Sequence, residues 1–283
     1  MSGEMRRVTL CADDYGISPG VNRAIVELIG NRRLNATSVM MVGPAIGRDD
    51  VAALKETAAA ANCAIGLHVT LTAPFAPLSL HFKPLVGGNF PQLGDMLQAS
   101  ILRRLDSEIV HSEIAAQIAF FIERFGRAPD YLDGHQHVHI FPQIRDAFLT
   151  AVKEAAPGAW VRQCGRSQTR AVLKNPKGHT NPKALLLDVL SAKFRRLCAR
   201  KGIAFNPAFA GAYDFAKASD FAALMDGFLK SVPEGGLVMC HPGFVDEVLL
   251  SLDPLTDQRE REYAFLAGDD FPKMLAANDV RLS

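Results

Sequence analysis

Two adjacent carboxylates, Asp13 and Asp14, close a short apolar run, Val8-Thr9-Leu10-Cys11-Ala12, and four more titratable groups alternate in Asp133-Gly134-His135-Gln136-His137-Val138-His139. Residues at period two share one face of an extended segment, so Asp133, His135, His137 and His139 lie on one side if this segment stays extended. A third polar group, His68, lies in the apolar run Ala64-Ile65-Gly66-Leu67-His68-Val69-Thr70-Leu71. One carboxylate with two or three imidazoles is an N/O donor set that suits zinc, manganese, iron or cobalt, with a position left open for water. Neighbouring carboxylates repel unless a positive charge is close. A divalent ion on one of them lets both stay ionised and leaves the other free to act as a base. Taken singly, an Asp-Asp pair after a strand reads as a solvated turn or helix cap, and a lone Gly-Leu-His as a core histidine with a hydrogen bond. The alternating run resists such a reading, because mere packing would leave several desolvated polar groups on one face.

These residues need a scaffold that brings distant segments to one end. Short apolar runs over 8–12, 37–42, 64–71, 131–134, 160–162, 203–205 and 237–240 alternate with helical patterns over 20–30, 49–61, 106–125, 142–155, 182–201, 218–229 and 257–266. Such alternation is the signature of βα units around a parallel sheet, and about seven of them favour a barrel over an open sheet. Ser18-Pro19 marks the first helix start, with Ser18 as N-cap and Pro19 at the first helical position. Asp13 and Asp14 then stand at the carboxyl end of a strand, where α/β proteins build their sites. Two stretches break the alternation: 73–94, rich in Pro, Gly and Phe and read either as a lid or as a passive insertion, and 164–181, irregular and leaving the same end.

Ala12-Asp13-Asp14-Tyr15-Gly16, Gly66-Leu67-His68-Val69-Thr70-Leu71-Thr72, the Asp133 to His139 run and His241-Pro242-Gly243-Phe244 resemble, in matching order, the YdjC-type carbohydrate deacetylases. That family includes chitooligosaccharide deacetylases and a hopanoid-biosynthesis-associated branch. The resemblance implies an irregular (β/α) barrel of the glycoside hydrolase/deacetylase type, with one divalent metal, zinc or magnesium foremost, held by Asp14, His68 and His135. Asp13, beside a ligand but not needed as one, can take the proton of a metal-activated water. An amine leaves poorly as an anion, so amide cleavage also calls for an acid. His241, at the end of the late run Leu237-Val238-Met239-Cys240, is the candidate, and the wider polysaccharide deacetylases, which use a first aspartate as base and a late-strand histidine as acid, imply the same assignment. Arg162 resembles a family arginine near the site; it and His139 are expected to contact substrate, although a structural ion pair would also account for Arg162. The His-Ser-x-x-His metal pair of NodB-type enzymes is absent from the sequence. The function expected is hydrolytic deacetylation of an N-acetylated amino sugar in an oligosaccharide or glycolipid, with a metal-dependent phosphoesterase and a non-catalytic carbohydrate-binding relic as alternatives.

Length and composition fit this frame. With 283 residues and 48% apolar content, one (β/α)-barrel domain over 1–283 is expected. The net charge of +1 offers no general reason to bind nucleic acid. Five scattered cysteines without a Cys-x-x-Cys pair read as small buried residues of a reducing compartment, and no stretch is long enough for a membrane span or a signal peptide, so the expected location is cytoplasmic. One stretch stands apart: 162–201 holds eleven Lys or Arg against the single acid Asp188, 11 − 1 = +10, leaving −9 for the rest. It reads as an outer helix with snorkelling cations, or, over 183–201, as a surface for peripheral contact with an anionic membrane at the inner face. A homodimer is left open.

Overall fold

The computed structural model describes residues 5–83, 85–166, 182–215 and 220–282, with the side chains of 182–184 outside the description. Seven parallel strands form a curled sheet in the order β5-β4-β3-β2-β1-β7-β6: β1 (Arg6–Tyr15), β2 (Ala36–Val39), β3 (Ala64–Val69), β4 (Tyr131–Gly134), β5 (Trp160–Val161), β6 (Phe209–Ala210) and β7 (Leu237–Cys240). An eighth, β8 (Val280–Leu282), pairs with the amino-terminal half of β1. The sheet curls until its edges approach: Val161 N donates to Ala204 O, and Phe209 N to Gly165 O. This is an irregular (β/α) barrel, as the alternation of runs implies. Its strands read as continuous apolar stretches because helices cover their outer faces.

The helices follow the expected segments closely: α1 (Pro19–Gly30), α2 (Arg48–Ala61), α4 (Ser107–Phe125), α5 (Ile144–Ala155), α6 (Pro182–Lys201), α7 (Phe221–Ser231) and α9 (Asp257–Ala267). Ser18 accepts from Val21 N and Pro19 takes the first helical position, as its residue types dictate. Three short helices were not read from sequence: α3 (Leu93–Ile101), α8 (Glu247–Leu252) and α10 (Asp270–Ala277). The strand expected over 203–205 is reduced to a single bridge between Val161 and Phe205. The paired strand comes later, at Phe209–Ala210, where both residues are buried against β7. Most of the irregular stretch 164–181 lies outside the described residues.

The apolar run read over 131–134 is β4, but the segment does not stay extended beyond it, so Asp133, His135, His137 and His139 do not share one face. β4 stops at Gly134, and His135–Ile140 winds into a tight 3₁₀ turn in which Gln136 and His137 have left-handed backbone (φ 53° and 60°). A Cβ on Gly134 would sit 2.8 Å from the His139 Nδ1, so the chain can turn this sharply only where that side chain is missing. The three histidines therefore point in different directions.

Candidate functional site

The site begins with a backbone irregularity in β1. Successive side chains of a regular strand face opposite ways, so Asp13 and Asp14 could not both look into one cavity. The register against β2 shifts between Ala12 and Tyr15, and Asp14 adopts a left-handed φ of 70°. A bulge of this kind re-aims a side chain, at a cost of order 1–3 kcal/mol for the strained residue. Both carboxylates, each 1% exposed, then line a cavity of about 630 Å³ at the carboxyl end of the strands. The following Gly16 (φ 99°) brings the chain against β2, where a Cβ would lie 2.9 Å from Met40 O.

Each buried acid has its own guanidinium. Arg162, just past β5, donates from Nη1 to Asp13 Oδ2 (2.7 Å) and from Nη2 to Asp13 Oδ1 (2.6 Å), and its Nη2 also pairs with Asp133 Oδ2 at 2.5 Å. Arg259, on α9, donates from Nη2 to Asp14 Oδ2 and to Asp253 Oδ2, both at 2.6 Å. Burial pushes both carboxyls of the pair upward, but the guanidiniums and neighbouring imidazoles outweigh it and hold each well below the ordinary carboxylate range. The adjacent aspartates are thus ionised before any metal is considered.

Two imidazoles converge on the same oxygen of Asp14. His135 Nδ1 lies 3.0 Å and His68 Nε2 3.3 Å from Asp14 Oδ1, and one ligand atom from each of the three residues falls within 4.8 Å of the others. His68 cannot turn away, because its Nδ1 is 2.6 Å from Asp133 Oδ1 and 3.1 Å from Ser38 Oγ. A carboxylate behind a ligating imidazole is the usual way to fix the ring and raise its basicity. Burial alone would lower the His68 pKa, yet Asp133 and Asp13 push it up to about 10. With His68 and His135 neutral, as ligation requires, four acids (Asp13, Asp14, Asp133, Asp253) face two guanidiniums (Arg162, Arg259), 2 − 4 = −2, which matches a divalent ion that takes the place of the His68 proton. Donor types, convergence and net charge therefore fit one metal at Asp14, His68 and His135.

A second group of close ligand-type atoms, Cys11, Asp13 and Asp133, differs in kind. Arg162 already occupies it, hydrogen-bonded to Asp13, ion-paired with Asp133 and 3.0 Å from Cys11 Sγ. It is a guanidinium pocket.

The opposite wall carries His241, one residue beyond β7, which pairs directly with β1. Its backbone N–H donates to Glu262 Oε2 at 2.5 Å, and its ring meets the edge of Phe215, 5.4 Å between centroids. Burial lowers its pKa and Arg259 lowers it further, with Asp14 and Asp13 opposing. Glu262 is fully buried beneath it and also accepts from the Tyr213 hydroxyl; burial, moderated by these bonds, pushes its carboxyl up to about 7.

Of the residues singled out from sequence, Asp13, Asp14, His68, His135 and His241 line the cavity together. Arg162 and His139 do not. Arg162 is 0% exposed behind Asp13, whose carboxylate it holds, and does not open on the cavity. His139 is likewise 0% exposed, bonds Arg162 O through Nε2 at 2.8 Å, and sits against Phe148 and Phe194. The 3₁₀ turn is the reason: it sends His139 down into the barrel wall. From the 73–94 stretch, Phe75 meets the edge of His135 and Leu93 lines the cavity. Arg259, Asp253 and Glu262 were missed, although α9 offers a signal. Gln258, Arg259, Glu262 and Leu266 are its buried residues, a largely polar face at helical spacing turned inward.

Residues 7–277 match the family described as YdjC-like protein. The chain belongs to the YdjC-like protein family. Among curated relatives, the chitooligosaccharide deacetylase of Salmonella paratyphi B is 31% identical over 247 residues, covering 87% of this chain and 85% of that protein. The chitooligosaccharide deacetylase of Citrobacter koseri is 29% identical over 247 residues, covering 86% and 84%. Among solved structures, an Enterococcus faecalis V583 protein provisionally described as a cellobiose-phosphate cleavage protein superposes with a TM-score of 0.74 at 20% identity, over 99% of this chain and 97% of that one. The Bc1960 peptidoglycan N-acetylglucosamine deacetylase superposes with a TM-score of 0.50 at 10% identity, over 98% and 85%. Both likenesses concern the fold of this YdjC-like protein.

Proposed function

We propose that this YdjC-like protein is a hydrolase of amide bonds that removes the acetyl group from an N-acetylated amino sugar, with a divalent metal held by Asp14, His68 and His135. The observation that carries the reading is the convergence of those three ligands in one cavity with an ionised aspartate and a late-strand histidine. The names of its relatives supply the substrate class. A divalent ion at this position supplies Lewis acidity toward the acyl oxygen and lowers the pKa of water. Asp13 accepts the proton of the attacking water. Because Arg162 grips both its oxygens, Asp13 is fixed beside Asp14 and stays out of the ligand set. His241 gives a proton to the departing nitrogen, and its lowered pKa makes it a readier donor once protonated. Water adds to the acyl carbon, the C–N bond breaks, and acetate and a free amine leave.

A phosphoesterase with paired metals would need a second set of free ligands. The one further candidate set among the described residues already encloses Arg162. A relic without catalysis would have lost Asp13 or His241, and both are present. The test is acetate release from a panel of N-acetylglucosamine oligomers and glycoconjugates by metal-loaded protein.

The glycolipid version, including a hopanoid-linked sugar met at the inner face of the membrane, has a separate support. On α6, Leu185, Leu186 and Val189 are 58%, 39% and 51% exposed, and Lys193, Arg196 and Arg200 are exposed nearby. Apolar side chains flanked by cations suit an anionic lipid surface. Four of the cations counted from sequence are engaged instead: Arg162 is buried against Asp13, Arg195 bonds Gln163 Oε1 at 2.8 Å, Arg166 pairs with Asp188 at 2.6 Å and Lys201 donates to Thr150 Oγ1 at 3.4 Å. The side chains of Arg170, Lys174, Lys177 and Lys183 lie outside the described residues.

A further inference from the structure

His137 has no part in the chemistry so far, yet its setting is specific. It lines the cavity with Asp13, His68 and His241, placed there by the left-handed pair Gln136 and His137, whereas His139 on the same turn is buried in the wall. Its ring stands edge-on to Phe209, 5.4 Å between centroids. Its Nδ1 is 3.6 Å from Cys164 Sγ, while among the described residues its Nε2 has no hydrogen-bond partner and is not a buried, unpartnered atom, so it opens on the cavity.

The neighbours decide which nitrogen carries hydrogen. His139 Nε2 faces the Arg162 carbonyl at 2.8 Å; a carbonyl only accepts, so this Nε2 bears a proton and cannot accept from Cys164, 3.9 Å away. Burial pushes the Cys164 pKa far up, so the sulfur keeps its hydrogen. The S–H then has one imidazole acceptor in reach, His137 Nδ1. With Nδ1 accepting, the hydrogen of a neutral ring sits on Nε2; in a protonated ring Nε2 carries one as well. Either way the atom facing the cavity is a donor.

We propose that His137 is a further substrate-contacting residue: its Nε2–H, set by the Cys164 thiol behind it, donates a hydrogen bond to an oxygen of the bound amino sugar. The role rests on the deacetylase reading of the cavity. A site that hydrogen-bonds a substrate oxygen gains discrimination that an apolar wall cannot supply. Left-handed backbone at two successive non-glycine residues is the kind of local strain that persists where a side chain must be aimed.

The test is calorimetric binding of a trimer of N-acetylglucosamine to the Asp13→Asn protein, which does not consume its ligand, with and without a second change. Adding His137→Phe is expected to weaken binding on the order of tenfold, and adding His137→Gln, which restores an N–H donor at similar reach, to recover most of it. Cys164→Ala, which only frees the ring, is expected to cost about two- to threefold. Metal content is expected to be unchanged throughout. Equal binding by the Phe variant, failure of Gln to do better than Phe, or loss of metal from the Phe variant each overturns the proposal. Absence of trimer binding by the Asp13→Asn parent overturns the proposal, and the deacetylase reading falls with it only where the wild type also releases no acetate from any oligomer or glycoconjugate; the other outcomes leave that reading standing.

Discussion

The two walls of the cavity are built on opposite terms. On the wall formed by β1, β3 and β4, every charged group has a partner at hydrogen-bond distance: Asp13 and Asp133 share Arg162, Asp14 meets Arg259, and His68 is held by Asp133. On the wall of β6, β7 and α9, His241 is hydrogen-bonded through its backbone, its Nδ1 is buried without a hydrogen-bond partner among the described residues, and the carboxyl beneath it, Glu262, is pushed up to about 7. The first wall fixes its carboxylates and imidazoles in place and suits a metal, whose binding would displace the proton of His68. The second, apart from Arg259, which faces Asp14 and Asp253, shifts His241 and Glu262 toward their neutral forms and suits a proton that must be handed over. A hydrolase needs both, and here they meet across the β1 and β7 pairing.

The contrast can be broken most forcefully at Arg162. Arg162→Met removes the partner of two fully buried carboxylates, and unpairing a buried ion pair costs about 3–5 kcal/mol. Thermal unfolding is expected to show a large fall in stability, whereas a Tm near that of the wild type would mean that water satisfies Asp13 and Asp133. Within the aspartate pair the roles should separate. Asp14→Ala is expected to arrive without metal, whereas Asp13→Asn keeps metal, with turnover lowered on the order of 10² to 10⁴, since Asp133 still holds Arg162. Metal content of the two proteins decides this, and the reverse pattern would exchange the assignments.

On the second wall the expected effect is smaller and depends on pH. Burial raises the Glu262 carboxyl from its ordinary 4.5 to about 7. A carboxyl raised in the folded state favours folding fully below its unfolded pKa, and that contribution is lost as pH climbs through the folded pKa. Glu262 should therefore contribute a decline in stability between about pH 4.5 and 7, and Glu262→Gln should flatten it. Parallel pH profiles of Tm for the two proteins would show that Glu262 is ionised throughout. The smallest effect is on the surface. Changing Lys193, Arg196 and Arg200 to Gln, with Arg195 left in place to hold Gln163, is expected to abolish salt-sensitive cosedimentation with anionic liposomes while turnover on a soluble substrate stays the same. No cosedimentation of the wild type at low salt would leave α6 a solvated helix.

Much of this was legible in the residues, and the failures have physical reasons. The strands bearing Asp13, His68 and His241 declare themselves as apolar runs, and parallel pairing places their carboxyl ends together. The Asp133 to His139 run misleads because period two presumes extended backbone, and nothing in its composition announces two left-handed residues after Gly134. Arg259 and Glu262 escaped notice because Asp257-Gln258-Arg259-Glu260-Arg261-Glu262 reads as a solvated charged helix. The signal lies in what it lacks: without a wide apolar stripe, α9 can bury a face only by pairing its charges inside. Asp253 and Tyr213 stand in irregular segments, where neither period applies.

The central claim is that one ion at Asp14, His68 and His135 enables removal of acetate from an amino sugar. It is tested most directly by measuring acetate released from N-acetylglucosamine oligomers and glycoconjugates by the same preparation after chelation and after titration with zinc or magnesium. No release is expected from the chelated protein, with recovery that saturates at one ion per chain. Release that is indifferent to chelation, or none from any substrate with one ion bound, would contradict it.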